Sequence, residues 1–405
     1  MSESNAKALE VLDKAMAEGN GILRCDPAWI ARDFLPPGKR LGLKEEEYDV
    51  GERGSICERW IVSETKADNA IGPDDEGLSY INLADGSDRV LLTDALEAGG
   101  KQILGDEYQA AHGNTLGRLA KLFDFGSRIP YHYHQRKEDA ALVGANSKEE
   151  AYFFPEGAEM GDHPETFFGV KPWIVEQGEQ EILLPYLQDW DSDLILQHAW
   201  AELLVPGDGF HIPPGILHGP GTALTFELQE NSDVFSMCQA LVAGKIIPKE
   251  LLYKDICKED VDKYGERIIL KQIDWELSGD RHFYENRHLG QRLVEETNQD
   301  GGTEYWIFYN TTTFSGKRLV VEPGQSFTCS ENGVFSVLVW KGKGTIGGLQ
   351  VVAGDFGHDE LLVTHDRALQ DLEYKNESNE TMEVWKFFGP DINPDCPGIP
   401  EYKVS

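Results

Sequence analysis

The chain is poor in basic residues relative to acidic ones. Lys and Arg number 37 against 71 Asp and Glu, which gives a formal net charge of −34. This excess of negative charge argues against nucleic acid and anionic membrane surfaces as partners. It also repels an anionic substrate at long range, so any phosphate site would need a local cluster of basic side chains.

Several common motifs are also missing. None of the six cysteines forms a Cys-x-x-Cys pair, which predicts free thiols in a reducing compartment. The polar, helix-like stretch 2–19 lacks the apolar core of a signal peptide, and no segment is long enough to span a bilayer. We therefore expect a cytoplasmic protein. There is no Gly-x-Ser-x-Gly elbow or Walker loop, so serine hydrolysis and ATP use are unsupported.

Turn residues and short strands dominate what is present. The 405 residues suffice for two domains, or for one large domain with additions. Between 130 and 236 the pattern predicts strands at 151–154, 181–185, 201–205, 209–212 and 224–227, punctuated by Gly, Pro and Asp. Residues 114–125 look partly helical and 249–264 helix-compatible, whereas 342–347 (Gly-Lys-Gly-Thr-Ile-Gly) is typical of a β-hairpin rather than a dinucleotide site. Short strands of this kind favour a barrel or sandwich.

A faint internal repeat refines this fold class. Gly207-Asp208 is followed ten residues later by His218, and Gly354-Asp355 is followed ten residues later by His365. Two copies of one small barrel would explain the repeat. We predict a mainly β bicupin, that is, two jelly-roll (double-stranded β-helix) barrels with added helices. The second barrel is degenerate and free of metal, and it serves for packing, for closing the first barrel or for dimerisation.

The predicted organisation has three parts. Residues 1–245 form an N-terminal metal-binding cupin domain with its N-terminal helix, 246–300 a helical or irregular linker layer, and 301–405 the degenerate C-terminal barrel. The sequence leaves open whether the protein is a monomer or a homodimer.

The most informative feature is a set of metal-ligand residues in two segments. Residues 132–134 read His-Tyr-His, and a strand places positions i and i+2 on one face, so both rings can reach one ion. Glu150 precedes an aromatic strand, and His218 ends a Pro-Pro-Gly turn. Imidazole and carboxylate together suit a divalent zinc, iron, manganese or nickel ion. Such a site with open positions is typical of chemistry on an oxygen-bearing small molecule.

Neighbouring residues offer alternatives and helpers. Glu149 competes with Glu150 for the carboxylate role, and we choose Glu150 because it shares a strand face with Lys148. Lys148 could bind a phosphate or a sugar hydroxyl, or shuttle a proton if its pKa is depressed. His211 is an alternative to His218 that suits packing better. Arg136, just after the His pair, is a candidate phosphate contact.

In these and several neighbouring segments the chain resembles the class I (cupin) phosphomannose isomerases, also called mannose-6-phosphate isomerases. The resemblance covers residues 45–240 well and the C-terminal barrel weakly. It rests on five segments in order: 51–52 with 58–63, 104–105 with 119–124, 130–134, 148–150 and 210–218.

The resemblance implies a zinc ion held by four positions of this chain: His132, His134, Glu150 and His218. It also implies a metal-dependent isomerase that interconverts mannose 6-phosphate and fructose 6-phosphate through a cis-enediol, so that the partner is a small sugar or sugar phosphate. Many family members carry an Arg shortly after a Ser-Asp pair, whereas here none follows Ser232-Asp233. Three alternatives stay open: a cupin enzyme on another sugar, phosphorylated or not, an iron-dependent oxygenase, and a non-catalytic sugar-binding or regulatory bicupin.

Overall fold

The structure is a computed structural model that describes residues 3–402. Antiparallel strands dominate, which confirms the predicted mainly β class. The helices of this part of the chain are mostly short, and the first two are the longest. No helix within 3–402 is long and apolar enough to cross a membrane. The α-helices are Glu3–Gly19, Leu92–Leu104, Asp106–His112, Lys137–Ala141, Pro172–Glu176, Leu184–Asp189, Lys258–Tyr264, Arg267–Gln272, Trp275–Ser278, Phe283–Arg287 and His365–Ala368.

Two antiparallel sheets in the N-terminal half carry the residues of interest. In sheet order, the six-stranded sheet contains Gly209–Ile212, Glu150–Phe153, Thr225–Glu230, Arg118–Phe123, Ser55–Ile61 and Ala28–Arg32. The five-stranded sheet contains Ala199–Leu203, Glu165–Val170, His218–Gly219, His132–Tyr133 and Ser236–Met237. Side chains from the two sheets meet between them, because Glu150 of the first lies against His218 of the second.

Two further sheets and a hairpin complete the strands of residues 3–402. The nine-stranded sheet contains Arg292–Leu293, Gly302–Phe308, Ser315–Val321, Met382–Phe388, Phe335–Lys341, Glu360–Val363, Ile22–Cys25, Tyr80–Asn82 and Arg89–Leu91. The four-stranded sheet contains Ser326–Cys329, Leu372–Asn376, Lys343–Ile346 and Leu349–Val352, and the hairpin pairs Leu241–Val242 with Lys245–Ile246. The pairing of 343–346 with 349–352 confirms the hairpin predicted around 342–347.

The N-terminal strands join the C-terminal sheet. Ile22–Cys25 pairs with Glu360–Val363 in register Ile22 to Val363, and one hydrophobic core includes residues of both halves. A buried ion pair also links them, because the Arg59 guanidinium lies 2.8 Å from Asp359 and 2.6 Å from Glu360. The division at residues 245 and 300 stays a prediction.

Two predicted elements are wrong. Residues 114–125 are not helical, because Arg118–Phe123 is a strand whose every residue is buried. A strand covered on both faces reads as an apolar run and mimics helical spacing. Residues 181–185 are not a strand, since a 3₁₀ turn over Gln180–Leu183 leads into the helix Leu184–Asp189. Pro185 occupies the first turn of that helix, where a missing N–H costs nothing.

The other predicted strands lie within two or three residues of their observed positions, and Gly209–Ile212 coincides. The stretch 249–264 is helical at both ends only, as a 3₁₀ turn over Lys249–Leu252 and the helix Lys258–Tyr264. Between them Asp255 has a φ of 58°, a left-handed conformation that no continuous helix can contain.

Candidate metal centre

Strand pairing brings the three histidines together. His132 and His218 are direct cross-strand partners in the five-stranded sheet, and His134 follows two residues after His132. Their ligand nitrogens all lie within 4.8 Å of one another. All three rings are buried, with ring centroids 4.1 to 5.0 Å apart.

Each ring is held through its Nδ1 atom. A neutral imidazole that donates its Nδ1–H to a carbonyl oxygen leaves the Nε2 lone pair free for a metal ion. The Nδ1 atoms lie 2.7 Å from the carbonyl oxygen of Pro130 for His132, 2.7 Å from that of Val234 for His134, and 2.9 Å from that of Ile216 for His218. The backbone therefore orients three Nε2 atoms in the way that metal-binding proteins use.

Glu150 completes the group from the opposite sheet. Its Oε2 lies 3.0 Å from His134 Nε2, and its Oε1 lies 3.0 Å from His218 Nε2. The Tyr152 hydroxyl donates to Oε1, and the Lys148 ammonium lies 2.9 Å from Oε2. Ligands held about 2.1 Å from a zinc ion lie roughly 3 Å from one another, so these spacings fit a shared cation.

The residues present fit a divalent metal ion. His218 Nε2 is buried and makes no hydrogen bond within residues 3–402, although an unsatisfied buried polar atom is costly. A metal ion would use that lone pair together with the Nε2 atoms of His132 and His134. The nitrogen and oxygen donor set suits zinc, manganese, iron or nickel, and the ligands alone leave the identity of the ion open.

Burial and neighbouring charges set the protonation states that metal binding needs. Burial lowers the pKa of His132 well below its ordinary value and that of His134 to about 3, so both rings are neutral bases. Burial alone would raise the pKa of Glu150, but the Lys148 charge outweighs it and holds that pKa well below its usual range. The carboxylate is therefore ionised.

Lys148 differs from the sequence-based expectation of a proton shuttle with a depressed pKa. Burial by itself would lower the pKa of Lys148, but the carboxylates of Glu150 and Glu227 outweigh burial and raise it. The side chain is therefore a fixed ammonium group. It lies 2.9 Å from Glu150, 3.3 Å from Glu227 and 3.1 Å from His134 Nε2, so in this structure Lys148 occupies one of the nitrogens that would bind the metal ion.

The structure does not bring Arg136 to this group. Its side chain is half-buried at the start of the helix Lys137–Ala141 and pairs with Asp139 at 3.2 Å and Glu138 at 3.4 Å. It is absent from the walls of the cavity above the histidines, as these are described for residues 3–402. The guanidinium pairs with acidic residues of its own helix. The position of Arg136 next to the His pair in the sequence did not indicate this pairing.

The two alternative ligands lie elsewhere. Glu149, the neighbour of Glu150, points to the other face of its strand, where its carboxylate lies 2.7 Å from His211 Nε2 and accepts from Thr313. His211 also lies 3.1 Å from the side-chain amide of Asn310. The strand period of two thus separates these residues from Glu150 and the centre.

Two neighbouring pockets, here called the inner and outer parts of the cavity, lie beside the histidines. The inner part, of about 50 Å³, contains His132 and His134 in its wall, and the outer part has about 500 Å³. Arg32, Phe34 and Phe235 line both parts and therefore lie at the boundary between them.

Sequence reasoning missed most of the charged side chains of the inner cavity. These are Arg32, Glu58, Lys121, Glu227 and Asp233, all of them buried or nearly so. Lys121 and Glu227 are direct cross-strand partners on neighbouring strands. The signal available in the sequence was a charged residue inside each apolar strand pattern, since such residues are rarely buried without a specific partner.

One missed contact concerns the Ser232-Asp233 pair. No arginine follows it in the sequence, but Arg32 reaches Asp233 from a strand 201 residues away, with its Nη2 3.5 Å from Oδ2. A guanidinium does contact this aspartate, and it comes from Ala28–Arg32, the edge strand of the six-stranded sheet.

The second half of the repeat holds no comparable set of histidines among the described residues. His365 begins the short helix His365–Ala368 and lies over Gly105, where even a Cβ atom would clash with the ring at 2.2 Å. Position 105 therefore requires a glycine, because a side chain would overlap the His365 ring. Its φ of 81° also favours glycine.

Comparisons with known proteins find the relationship in the fold and not in the sequence. No protein-family model matches the chain, and no curated protein matches it by sequence. A mannose 6-phosphate isomerase from Bacillus subtilis superimposes with a TM-score of 0.62 at 14% identity, over 91% of this chain and 99% of that one.

Two further structures agree. A variant phosphomannose isomerase from Salmonella typhimurium gives a TM-score of 0.59 at 11% identity, and a zinc-bound mannose 6-phosphate isomerase gives 0.59 at 10% identity. Each covers 91% of this chain and 100% of the solved one. The chain thus has the fold of mannose 6-phosphate isomerases over nearly its whole length, at an identity that shows the fold alone.

Proposed function

We propose that the protein is a metal-dependent aldose–ketose isomerase built as a bicupin, with one metal site in the first barrel. The observation that carries the proposal is the convergence of three histidine Nε2 atoms and one carboxylate beside an open cavity. The fold of mannose 6-phosphate isomerases supports the same reaction class.

His132, His134, Glu150 and His218 would hold the metal ion. Zinc is our first choice because a solved structure of this fold contains it, and manganese, iron and nickel are the alternatives. When bound, a divalent ion supplies Lewis-acid polarisation of the carbonyl and hydroxyl oxygens of the sugar.

Three groups of the chain would do the remaining work. The fixed Lys148 ammonium donates hydrogen bonds to a substrate oxygen beside the histidines. Glu227 lines the inner cavity, and burial raises its pKa to about 7, so it is the candidate to take the proton that moves between C1 and C2. Phe34 and Phe235 line both parts of the cavity, where their rings would keep water from the reacting carbons.

A coupled assay tests the reaction. Mannose 6-phosphate and fructose 6-phosphate are the first pair to assay because the solved isomerases are named for the former, and mannose with fructose is the matched uncharged pair. We expect the zinc-loaded protein to interconvert at least one pair, chelation to abolish turnover and zinc to restore it. His218→Ala should be inactive, and the exposed Asp162→Asn should match the wild type.

A non-catalytic sugar-binding bicupin is the second candidate. It is favoured by the ion pairs of the inner cavity, where Lys121 and Lys148 both contact Glu227 at 3.3 Å and are partly neutralised by it. Sugar binding to the metal-loaded protein without turnover of either pair would support this candidate over the isomerase.

A further inference from the structure

We propose that the sugar this protein takes is uncharged, an aldose–ketose pair without a phosphate group. This inference rests on the proposed function and names the substrate class of the same site. The observation behind it is that the cations around the cavity are already neutralised by carboxylates of the chain.

Arg32 is the most important of these cations because it lines both parts of the cavity, at their boundary. A sugar with its carbonyl end at the histidines would place its other end near this residue. Each of the three guanidinium nitrogens has a partner: Nε with Glu58 at 2.6 Å, Nη1 with Asn69 at 3.1 Å and Nη2 with Asp233 at 3.5 Å. Three of its five N–H donors are thus engaged, two of them with carboxylates, and arginine recognises phosphate through this same fork.

The two inner lysines are paired as well. Lys121 lies 3.3 Å from Glu227 and 3.6 Å from Glu58, and Lys148 lies 2.9 Å from Glu150. Within residues 3–402 every Lys or Arg side chain of the inner wall therefore has a carboxylate within 4 Å. A phosphate dianion would meet these carboxylates before it could pair with a cation.

The outer part is no more favourable to an anion. Lys254 lies 2.8 Å from Asp68 and 2.7 Å from Asp255, and Arg53 lies 2.5 Å from Glu76.

Lys245 is the remaining cation of the outer wall and is exposed. The same wall carries Asp33, Glu52 and Glu250, for which residues 3–402 provide no ion pair. Free carboxylates thus outnumber the free ammonium group three to one. The net charge of −34 on the whole chain adds to the repulsion.

The same carboxylates suit sugar hydroxyls. An ionised carboxylate only accepts hydrogen bonds, and a sugar presents several O–H donors. Glu227 and Asp233 both line the inner cavity, where Glu227 Oε1 lies 3.3 Å from the ammonium groups of Lys121 and Lys148. An uncharged polyhydroxy compound therefore matches this lining, whereas a phosphate does not.

The test compares two ligands that differ only in the phosphate. Cobalt-loaded protein is titrated with mannose and with mannose 6-phosphate, while the visible absorption of the cobalt ion reports binding without any need for turnover, and kcat/KM is measured for both. We expect mannose to bind and to react at least roughly tenfold better. Tighter binding of mannose 6-phosphate, or binding of neither compound, would overturn the inference.

These outcomes are distinguishable from failure of the proposed function. Preferred turnover of mannose 6-phosphate would support the isomerase and overturn the uncharged substrate. Binding of mannose without turnover would overturn the isomerase and leave the preference for an uncharged sugar supported.

A variant sharpens the comparison. Asp233→Asn removes one carboxylate from Arg32, so the preference should move toward the phosphorylated sugar by about tenfold or more. The exposed Asp162→Asn makes the same change of net charge and should leave the preference unchanged. Equal shifts in both variants would contradict a role for Arg32 and its partners. If Asp233→Asn does not fold, the wild-type titration decides alone.

Discussion

The two halves of the molecule each bury a cluster of metal-ligating side chains with a lysine against it. Within residues 3–402 the Lys386 ammonium contacts every member of the C-terminal cluster, whereas Lys148 contacts only two of the four N-terminal members, Glu150 and His134. In the N-terminal half the histidine nitrogens converge with His218 Nε2 left without a hydrogen bond. In the C-terminal half the ligand atoms of Glu304, Cys329 and Glu331 also lie within 4.8 Å of one another. There the Lys386 ammonium lies 2.6, 3.1 and 2.8 Å from those three side chains.

This difference is our reason to expect a metal ion in the N-terminal cluster and none in the C-terminal one. Lys317, 2.6 Å from Glu331, adds a second positive charge to the C-terminal cluster, so its carboxylates are already compensated. Buried carboxylates require a counter-charge, and a lysine supplies it without a metal ion. In the N-terminal centre the Lys148 ammonium contacts Glu150 and His134, and the buried His218 Nε2 has no hydrogen bond within residues 3–402.

The largest effect should come from the N-terminal centre. His134→Ala or His218→Ala removes one ligand, so zinc affinity should fall by more than about a hundredfold and bound metal should be lost on dialysis. Elemental analysis measures the metal, and circular dichroism checks the fold. His211→Ala, a buried histidine outside the centre, is the matched control and should retain the ion. Loss of metal from all three variants alike would contradict the assigned ligands.

Removing the internal cation of the C-terminal cluster should cost stability instead. Lys386→Met leaves Glu304 and Glu331 buried with Lys317 as their remaining cation, so the free energy of unfolding should fall by about 3–5 kcal/mol in urea titrations. The N-terminal centre should keep its metal. The exposed Lys375→Met is the control and should change stability little. Equal stability of the two variants would show that Lys386 is not the required counter-charge.

The free energy of unfolding should depend on pH through the ion pair between Arg59 and Glu360, which joins the two halves. Burial raises the pKa of Glu360 to about 7, although Arg59 opposes this shift, and Asp359 adds to it; Cys25 is a further titratable neighbour. The folded chain then holds a proton that the unfolded chain releases near pH 4.5, so the free energy of unfolding falls as pH rises from about 4.5 to 7.

Glu360→Gln should remove about 2–3 kcal/mol of that decline, measured by urea unfolding at several pH values. The exposed Asp371→Asn should leave the wild-type profile intact. A Glu360→Gln profile parallel to that of the wild type between pH 4.5 and 7 would contradict the raised pKa.

The smallest effect concerns the support of Glu150. Tyr152→Phe removes the hydroxyl that donates to Glu150 Oε1, so zinc affinity should fall about tenfold with no loss of fold. Competition with a chelator measures it. Tyr374→Phe is the matched control in the C-terminal half, because that buried hydroxyl has no hydrogen bond within residues 3–402. An equal affinity for zinc in both variants would show that the Tyr152 hydroxyl does not support metal binding by Glu150.

The local pattern of the sequence was enough to predict the centre that the structure brings together. The structure places His132 and His134 two residues apart beside His218, as the spacing and the turn predicted. Both features are local properties of the chain, so the sequence is sufficient to predict them. The counter-charges were not predictable in this way. Arg32 meets Asp233, and Lys386 meets Glu304, across long sequence separations that only strand order determines.

The prediction of secondary structure was wrong at one strand for a related reason. Residues 114–125 look helical because the strand Arg118–Phe123 is buried on both faces. Its charged residue, Lys121, pairs with Glu227 on the next strand. A pattern of apolar residues alone does not report which face is covered.

The most direct test of the account is the number of divalent ions bound per chain after zinc loading and exhaustive dialysis, measured by elemental analysis of the wild-type protein. The account predicts one zinc ion per chain, because the histidine centre binds an ion and the Lys386 cluster does not. No bound ion, or two ions per chain, would contradict it.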